Sequence, residues 1–351
     1  MKKSFLKIGE NILGDNKPVF IIAEAGVNHN GKLNLALKLV DAAANAGADA
    51  IKFQTFHAED VVVATEKMVL YQKKNTQKST TQLKMLKSLE LNDSFYTLII
   101  KRCKQKKILF LSTPHGGFQS IDFLQKLDVP AFKFGSGDLT NIPILKYAAR
   151  FKKPMILGTG MATMIEVHDA VTVIKRAGNR KIIVLQCTTN YPCPLEEANI
   201  AAMQTMLKKL NVLVGYSDHT QGSQASIIAT ALGACVVEKH FTLNKKLSGP
   251  DHQASLDPKE FKNFVKDIRS TSVIIGSKIK KPTRSEKYIV KKIRKSIVSQ
   301  RFIKKGEIFS NQNISIKRPG TGLPPKKYYY IIGKKAKRDI KKDSIISFYD
   351  F

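Results

Sequence analysis

Short apolar segments alternate with longer stretches of helical periodicity along most of the chain. Eight of these segments are rich in Val, Ile and Phe and have the length of buried strands. They span 19–25, 49–55, 107–113, 131–136, 154–160, 182–188, 212–218 and 235–241. After the first segment, Leu33, Leu37 and Val40 recur at the spacing of one helical face. The alternation predicts a parallel sheet with crossover helices.

Eight strand–helix units favour a closed (β/α)₈ barrel over an open sheet. An open dinucleotide-binding sheet would carry a G-x-G-x-x-G turn after its first strand, and the sequence has no such turn there. In a barrel, the carboxyl ends of all strands open on one face, where active sites form. The polar residues at the ends of the predicted strands are therefore the candidates for function.

Two lysines lie inside apolar strands. Lys52 belongs to the second predicted strand and Lys133 to the fourth. A buried ammonium group is unfavourable by several kcal/mol unless an anion meets it, so the pair indicates a bound phosphate or carboxylate. Other polar side chains at the strand ends are Glu24, Gln54, Ser112, Thr113, Ser136, Thr188, Ser217 and Glu238.

His219 and His240 end consecutive predicted strands. Neighbouring strands lie ~4.8 Å apart, so the two imidazoles can reach one ion and leave other coordination positions open. With oxygen ligands nearby, the pair favours a divalent ion that keeps waters and accepts substrate oxygens over a closed zinc site. His57, His115 and His168 have no partner at ligand spacing, and we assign them no role.

The chain of 351 residues is strongly basic: 59 Lys and Arg against 28 Asp and Glu give a formal net charge of +31. The excess admits two interpretations, a nucleic-acid or membrane partner or a lysine-rich surface that steers small anions. The sequence has no zinc-finger spacing, basic-zipper heptad or aromatic stacking motif. A nucleic-acid-binding protein is therefore the weaker alternative, and filter binding over a salt series would detect it.

Further features predict a cytoplasmic protein without a membrane partner. The longest apolar run, 227–237, is too short to span a bilayer, and no apolar signal-peptide region follows the basic start. The cysteines form no C-x-x-C pair, which favours a reducing compartment, and we expect each to be a small core residue. They are Cys103, Cys187, Cys193 and Cys235.

A set of motifs carries a family resemblance. In order along the chain they read AEAGVNHNG, GADAIKFQTF, FLSTP, FKFGSGDLTNIP, GTGMAT, GYSDHT, VVEKHF and GPDHQASLDP. Together they resemble the sialic acid synthase family, the bacterial NeuB-type enzymes. The tail SIVSQRFIKKGEIFSNQNISIKRPGTGLPP resembles the antifreeze-like, or SAF, domain that ends those enzymes. The expected organisation is a catalytic barrel at 1–275, a basic linker at 276–294 and an SAF domain at 295–351.

The resemblance implies an activity. Enzymes of this family condense phosphoenolpyruvate with an N-acetylmannosamine-type aldehyde, release phosphate and form a nine-carbon 2-keto acid, using Mn²⁺ or a similar ion such as Mg²⁺ or Co²⁺. We therefore expect an N-acetylneuraminate synthase. The alternative is a legionaminate or other nonulosonate synthase that acts on a 2,4-diacetamido-trideoxyhexose. Phosphoenolpyruvate condensation onto a sugar phosphate would use the same barrel but would not come with the SAF-like tail.

The resemblance also implies roles, position by position. Glu24 matches the carboxylate that takes a proton from the attacking water, and His219 and His240 match the metal ligands. The phosphoenolpyruvate contacts match Lys52, Thr113, Lys133, Ser136 and Ser217. The sugar contacts match Gln54, Tyr191, Asp251 and Arg318, with Arg318 supplied by the partner chain of a homodimer that exchanges its carboxy-terminal domains.

Two features lie outside these roles. Gly158 stands where relatives often have Ser, which removes one hydroxyl from the phosphate cradle. Asn28 and His29 follow Glu24 closely, and we interpret them as residues that shape the next loop rather than as part of the chemistry.

Overall fold

The computed structural model describes residues 5–76 and 80–351. The chain divides into two compact units, Met1–Gly276 and Ser277–Phe351. Within the described residues, no helix has the length and apolar character that crossing a membrane requires.

The first unit is an eight-stranded parallel barrel preceded by an antiparallel hairpin. The hairpin consists of β1 (Phe5–Ile8) and β2 (Asn11–Gly14). The barrel strands are β3 (Phe20–Gly26), β4 (Ala50–Thr55), β5 (Leu109–Pro114), β6 (Phe132–Phe134), β7 (Met155–Gly158), β8 (Ile182–Gln186), β9 (Leu213–Asp218) and β10 (Val236–His240). Their hydrogen-bonded order is β5-β4-β3-β10-β9-β8-β7-β6, and the edge strands β5 and β6 contact each other. Each strand falls on one predicted apolar segment, and the barrel prediction is confirmed.

Helices connect the strands and begin where the sequence supplies caps. In the first unit they are α1 (Leu33–Ala46), α2 (Ala58–Val61), α3 (Leu70–Thr76), α4 (Gln82–Lys87), α5 (Asp93–Lys106), α6 (Gly117–Lys126), α7 (Ile142–Ala149), α8 (Met164–Arg176), α9 (Ala202–Leu210), α10 (Gln224–Ala231) and α11 (Pro258–Ile275). Thr163 and Glu166 form a capping box that starts α8. Gly47 ends α1 with a φ of 89°, a left-handed conformation that favours glycine.

Alternation along the strands builds two layers of core. Ile21 and Ala23 of β3 face outward and pack in the cluster that contains the helices. Phe20 and Ile22 face inward and pack in a second cluster with Leu13 of the hairpin. The hairpin's apolar side chains join this inner cluster, so apolar side chains fill the amino-terminal end of the barrel interior. The polar side chains of the interior are thus confined to the carboxyl ends of the strands.

The second unit has its own small core. It contains α12 (Arg284–Ile293), β11 (Ser296–Ser299), β12 (Ile314–Lys317) and α13 (Tyr328–Ile331), and β11 pairs antiparallel with β12. Ile297, Phe309 and Ile314 are among its buried residues. Arg318 directly follows β12 and is exposed.

The predicted linker, 276–294, contains a regular element. Thr283 accepts a hydrogen bond from the Glu286 backbone, and the Glu286 side chain bonds back to Thr283. This capping box starts the ten-residue helix α12 inside a segment that composition alone presents as extended. The boundary between the two compact units lies at the start of that segment, between Gly276 and Ser277.

Candidate active site

A cavity of about 440 Å³ lies at the carboxyl ends of the barrel strands. It brings together every site residue predicted in the barrel. These are Glu24, Lys52, Gln54, Thr113, Lys133, Ser136, Tyr191, Ser217, His219, His240 and Asp251. Arg318, the remaining predicted residue, belongs to the second unit.

Strand register sets the centre of the site. His240 of β10 lies opposite Glu24 of β3, and Glu24 lies opposite Lys52 of β4. Neighbouring residues across a parallel sheet point to the same face, so the three side chains project side by side into the barrel mouth. The imidazole, the carboxylate and the ammonium group come from sequence positions far apart.

Two acids and two lysines form a buried cluster. The Nζ atom of Lys52 lies 2.7 Å from Oε2 of Glu24 and donates to Oγ1 of Thr113 at 3.0 Å. Nζ of Lys133 lies 3.3 Å from Oε1 of Glu238, and Nζ of Lys52 lies 3.9 Å from Oε2 of the same carboxylate. Ser217 donates a hydrogen bond to Glu238 Oε1 at 3.0 Å. The two strand lysines are therefore held by Glu24 and Glu238.

The two carboxyl groups have opposite pKa shifts. Burial, opposed by Lys52 and reinforced by the charge of Glu238, raises the pKa of Glu24 to about 7. Burial also acts to raise the pKa of Glu238, but Lys133 and Lys52 outweigh it and hold that pKa below its usual range. Neighbouring titratable groups whose pKa values are shifted in opposite directions are typical of acid–base catalytic sites. Glu24 can exchange a proton near neutral pH, whereas Glu238 stays ionised.

The two histidines face each other beside this cluster, with ring centroids 5.5 Å apart. Nδ1 of His219 lies 2.6 Å from the Thr188 carbonyl, which accepts its proton and leaves the lone pair on Nε2. Burial lowers the pKa of both imidazoles, so both are neutral, the form that binds metal ions. The centroid of the Tyr191 ring lies 4.3 Å from that of the His219 ring and 5.3 Å from that of the His240 ring.

This donor set fits an exchangeable divalent ion. Nδ1 of His240 is buried and has no hydrogen-bond partner among the described residues. Nε2 of His219, which carries the lone pair, lies 3.4 Å from Oγ of Ser217, whose hydroxyl donates to Glu238. The described part of the chain contains no group of three or more His, Cys, Asp or Glu suited to a metal. Two imidazoles that leave positions for water and substrate oxygens match ions such as Mn²⁺ better than a structural zinc site.

A cradle of small groups lies next to the lysines. The Gly160 N–H donates to Oγ of Ser136 at 3.0 Å and to Sγ of Cys187 at 3.2 Å. A Cβ atom at Gly158 would lie 3.1 Å from Ser136 Oγ and 3.2 Å from its backbone nitrogen. A side chain at position 158 would therefore require Ser136 to shift by a few tenths of an ångström.

This close approach gives a prediction. Gly158→Ala should raise the KM for phosphoenolpyruvate, the substrate that the motif resemblance implies, by up to roughly 10-fold, because Ser136 must move by a few tenths of an ångström. Gly137→Ala is the matched control, since Gly137 lines the same cavity and a Cβ atom added there would meet nothing within 4 Å. Steady-state kinetics with varied phosphoenolpyruvate measures both. Equal KM values for the two variants would contradict the assignment of Ser136 to the anion cradle.

Three polar side chains meet across from the cradle. A Cβ atom at Gly26, whose φ is +51°, would lie 3.1 Å from Glu24 Oε1, 3.3 Å from Gln54 Nε2 and 3.6 Å from Asp251 Oδ2. A glycine is required here both by the backbone conformation and by this close convergence. Burial raises the pKa of Asp251 to about 6. These residues surround open space in which hydroxyl groups could be bound.

Asn28 and His29 stabilise the loop after β3. The Asn28 side chain donates to the Phe241 carbonyl at 2.9 Å and to Ser255 Oγ at 3.0 Å. His29 accepts the Gly31 N–H through Nδ1 at 3.0 Å. Both residues hold the loop, as predicted.

Sequence reasoning assigned no site role to Glu238 and Cys187, and it named no individual residue of a third contributor to the cavity. Glu238 lies two positions before His240 on β10. Because side chains along a strand alternate between its two faces, the sequence places Glu238 on the same face as His240. Cys187, expected as a core residue, is buried but lines the cavity. The described residues of the connection between β4 and α5, 56–76 and 80–92, which we call the β4–α5 segment, supply a side wall of the cavity.

Two protein-family models match this chain, one for each unit. A model of the NeuB family matches residues 39–280, and a model of the SAF domain matches residues 294–351. The chain belongs to the NeuB family. The resemblance carried by its motifs, and the combination of barrel and SAF domain, are both confirmed.

Relatives of this NeuB-family chain cover nearly its whole length. It is 46% identical over 332 residues to the N,N'-diacetyllegionaminic acid synthase of Campylobacter jejuni, covering 94% of this chain and 99% of that protein. It is 44% identical over 333 residues to the enzyme of the same name from Legionella pneumophila, covering 93% of each. The crystal structure of N-acetylneuraminic acid (sialic acid) synthetase from Leptospira borgpetersenii matches with a TM-score of 0.74 and 34% identity, covering 82% of this chain and 95% of that one.

Proposed function

We propose that this protein condenses phosphoenolpyruvate with a 2,4-diacetamido-trideoxyhexose and releases phosphate, forming a legionaminic acid-type 2-keto acid. The observation that carries the reaction type is the buried cluster of Glu24, Lys52, Lys133 and Glu238 beside two neutral imidazoles. The names of the Campylobacter and Legionella relatives support the diacetylated acceptor. They favour this alternative over the N-acetylmannosamine acceptor expected from the motifs.

The lysines account for recognition of phosphoenolpyruvate. Lys52 and Lys133 are almost fully buried and lie next to the hydroxyl groups of Thr113, Ser136 and Ser217. Phosphate and carboxylate groups can be paired by these ammonium groups and accept hydrogen bonds from the hydroxyls. Glu24 and Glu238 hold the lysines in position before the anion arrives, so the cradle is preorganised and neither ammonium group is buried without a counter-charge.

Carbon–carbon bond formation comes first in the proposed mechanism. The enol carbon of phosphoenolpyruvate attacks the aldehyde carbon of the sugar, and the aldehyde oxygen takes up a proton. His219 and His240 would hold the divalent ion, which when bound supplies Lewis-acid polarisation of that oxygen. Tyr191 packs against both imidazoles and restricts their orientation.

Water addition and loss of phosphate complete the reaction. Attack by the enol leaves positive charge at the carbon that bears the phosphate, and a water molecule bonds to this carbon. Glu24 takes a proton from the water as a general base. The carbon–oxygen bond to phosphate then breaks, phosphate leaves with the bridging oxygen, and the new hydroxyl becomes the keto group as its proton is lost. The ionised Glu238 beside the site stabilises the lysines throughout.

An acceptor panel tests the proposed function. Purified protein with phosphoenolpyruvate and Mn²⁺ should release phosphate with a 2,4-diacetamido-trideoxyhexose, and mass spectrometry should find the nine-carbon acid. N-acetylmannosamine is the second candidate acceptor, supported by the structural likeness to the Leptospira synthetase. If no phosphate is released with either sugar, the proposal is contradicted.

We propose in addition that Arg318 acts on the sugar from the partner chain of a domain-exchanged homodimer. The support is its position on the exposed Pro- and Gly-rich segment after β12, together with membership of the family. Mixing a Glu24→Ala chain with an Arg318→Ala chain, each inactive alone, should restore roughly a quarter of normal activity by random exchange into mixed dimers. Native mass spectrometry should confirm the exchange. A mixture that contains mixed dimers but stays inactive would show that Arg318 does not act across the dimer.

A further inference from the structure

One wall of the cavity takes no part in the mechanism above. The β4–α5 segment contributes Gln72, Gln82, Met85, Leu86 and Leu89 to the lining. Met85 and Leu89 are buried in a separate apolar cluster with residues around the barrel mouth. The backbone of Gln82 donates to the Glu66 carbonyl, and Asn75 donates to the Pro250 carbonyl at 2.6 Å. The wall is therefore a folded element with its own core.

The two glutamines of this wall have fixed amide orientations. Oε1 of Gln72 accepts a hydrogen bond from the Val69 N–H at 3.1 Å, so the Nε2 group of Gln72 remains available as a donor. Nε2 of Gln82 donates to the Lys67 carbonyl at 3.1 Å, which leaves the oxygen Oε1. Among the described residues, neither remaining atom has a hydrogen-bond partner. The wall thus offers one N–H donor and one oxygen acceptor beside apolar side chains.

An acetamido group has the complementary set of features. Its carbonyl oxygen accepts a hydrogen bond, its N–H donates one, and its methyl group is apolar. A hydroxyl group at the same place could pair with one amide but would leave the apolar surface without a partner. Burying a methyl group against Met85 and Leu89 is favourable because it removes apolar surface from water.

We propose that Gln72 and Gln82 bind the second acetamido group of the acceptor and that its methyl group packs against Met85 and Leu89. This inference rests on the proposed function and names the residues that distinguish a doubly from a singly N-acetylated hexose. The site lies in the same cavity as Lys52 and Lys133 but on a different element of the fold. It therefore acts on acceptor choice and leaves phosphoenolpyruvate binding alone.

Apolar variants test this assignment. Gln72→Leu and Gln82→Leu remove the amide, and with it the hydrogen bonds to the Val69 N–H and the Lys67 carbonyl. Gln72→Glu keeps the acceptor for Val69 and removes only the free N–H donor, so it should show the same loss if the donor binds the acetamide. Each should lower kcat/KM for a 2,4-diacetamido-trideoxyhexose by roughly 10- to 100-fold, because the acetamide then has an unpaired polar group. The kcat/KM for N-acetylmannosamine and the KM for phosphoenolpyruvate should stay within about threefold. Gln105→Leu, an exposed glutamine on α5 outside the cavity, is the matched control.

The possible outcomes distinguish failure of this inference from failure of the proposed function. An unchanged KM for phosphoenolpyruvate shows that a variant is folded, and it serves as the reference if N-acetylmannosamine is not turned over. Equal losses with both acceptors, a raised KM for phosphoenolpyruvate, or no loss with the diacetamido sugar would overturn the acetamido site while leaving the synthase reaction intact. Absence of wild-type turnover with every N-acetylated hexose would overturn the proposed function and this inference together.

Discussion

Replacing Glu24 by glutamine should lower kcat by roughly 100- to 10,000-fold, the range that general acid–base catalysis supplies. The amide keeps the shape of the side chain and its place beside Lys52 but cannot take a proton from water. Because the lost interaction is made only in the transition state, KM for phosphoenolpyruvate should change far less than kcat. Glu10→Gln, an exposed carboxylate on the hairpin, is the control. A large rise in KM with kcat intact would make Glu24 a binding residue.

The pH profile gives a second measure of the same group. Burial raises the pKa of Glu24 to about 7. A general base must be ionised, so kcat/KM, which reports the free enzyme, should rise as the pH increases through this pKa and level off above it. Below it, kcat/KM should fall about tenfold per pH unit. The Glu24→Gln variant should lose this limb of the profile. A wild-type profile that stays flat over about one pH unit on either side of this pKa would contradict the assignment.

Removal of the divalent ion that His219 and His240 are proposed to hold should lower phosphate release by roughly 100-fold or more, since Lewis-acid polarisation of a carbonyl is worth several kcal/mol. Addition of Mn²⁺ should restore it. His219→Ala and His240→Ala should each lose a similar factor and should also bind Mn²⁺ more weakly in a titration. His168→Ala, an exposed histidine on α8, should behave as wild type.

Folding of the histidine variants is a separate expectation. Both imidazoles lie at the barrel mouth and outside the two apolar clusters, so their loss should leave thermal unfolding close to that of the parent. Full activity after exhaustive chelation, or unaltered Mn²⁺ affinity in either variant, would show that the pair does not hold the ion.

The barrel could be predicted because its strands are short runs of Val, Ile and Phe that are buried on both faces. The adjacency of His240, Glu24 and Lys52 also follows from sequence, since parallel strands align their carboxyl ends. Positions within a strand follow a period of two, so the face on which each polar residue lies could be deduced from the sequence.

Contacts across the barrel could not be predicted in this way. Glu238 reaches both Lys52 and Lys133 only because the sheet closes, and no local pattern encodes that approach. The hairpin β1–β2 has four-residue strands, too short for a periodic signal. Gln72 and Gln82 take their orientations from backbone groups of the β4–α5 segment itself, whose fold depends on packing around Met85. The capping box at Thr283 is visible in the sequence, but the surrounding basic charges obscured it.

The most direct test of the reaction uses phosphoenolpyruvate labelled with ¹⁸O at the bridging position between carbon and phosphorus. The reaction is run with a 2,4-diacetamido-trideoxyhexose and Mn²⁺, and both products are analysed by mass spectrometry. If water attacks the carbon and Glu24 takes its proton, the label should leave in the phosphate, and the keto acid should be unlabelled at its new oxygen. Retention of ¹⁸O in the keto acid would place the break at the phosphorus–oxygen bond and contradict the mechanism.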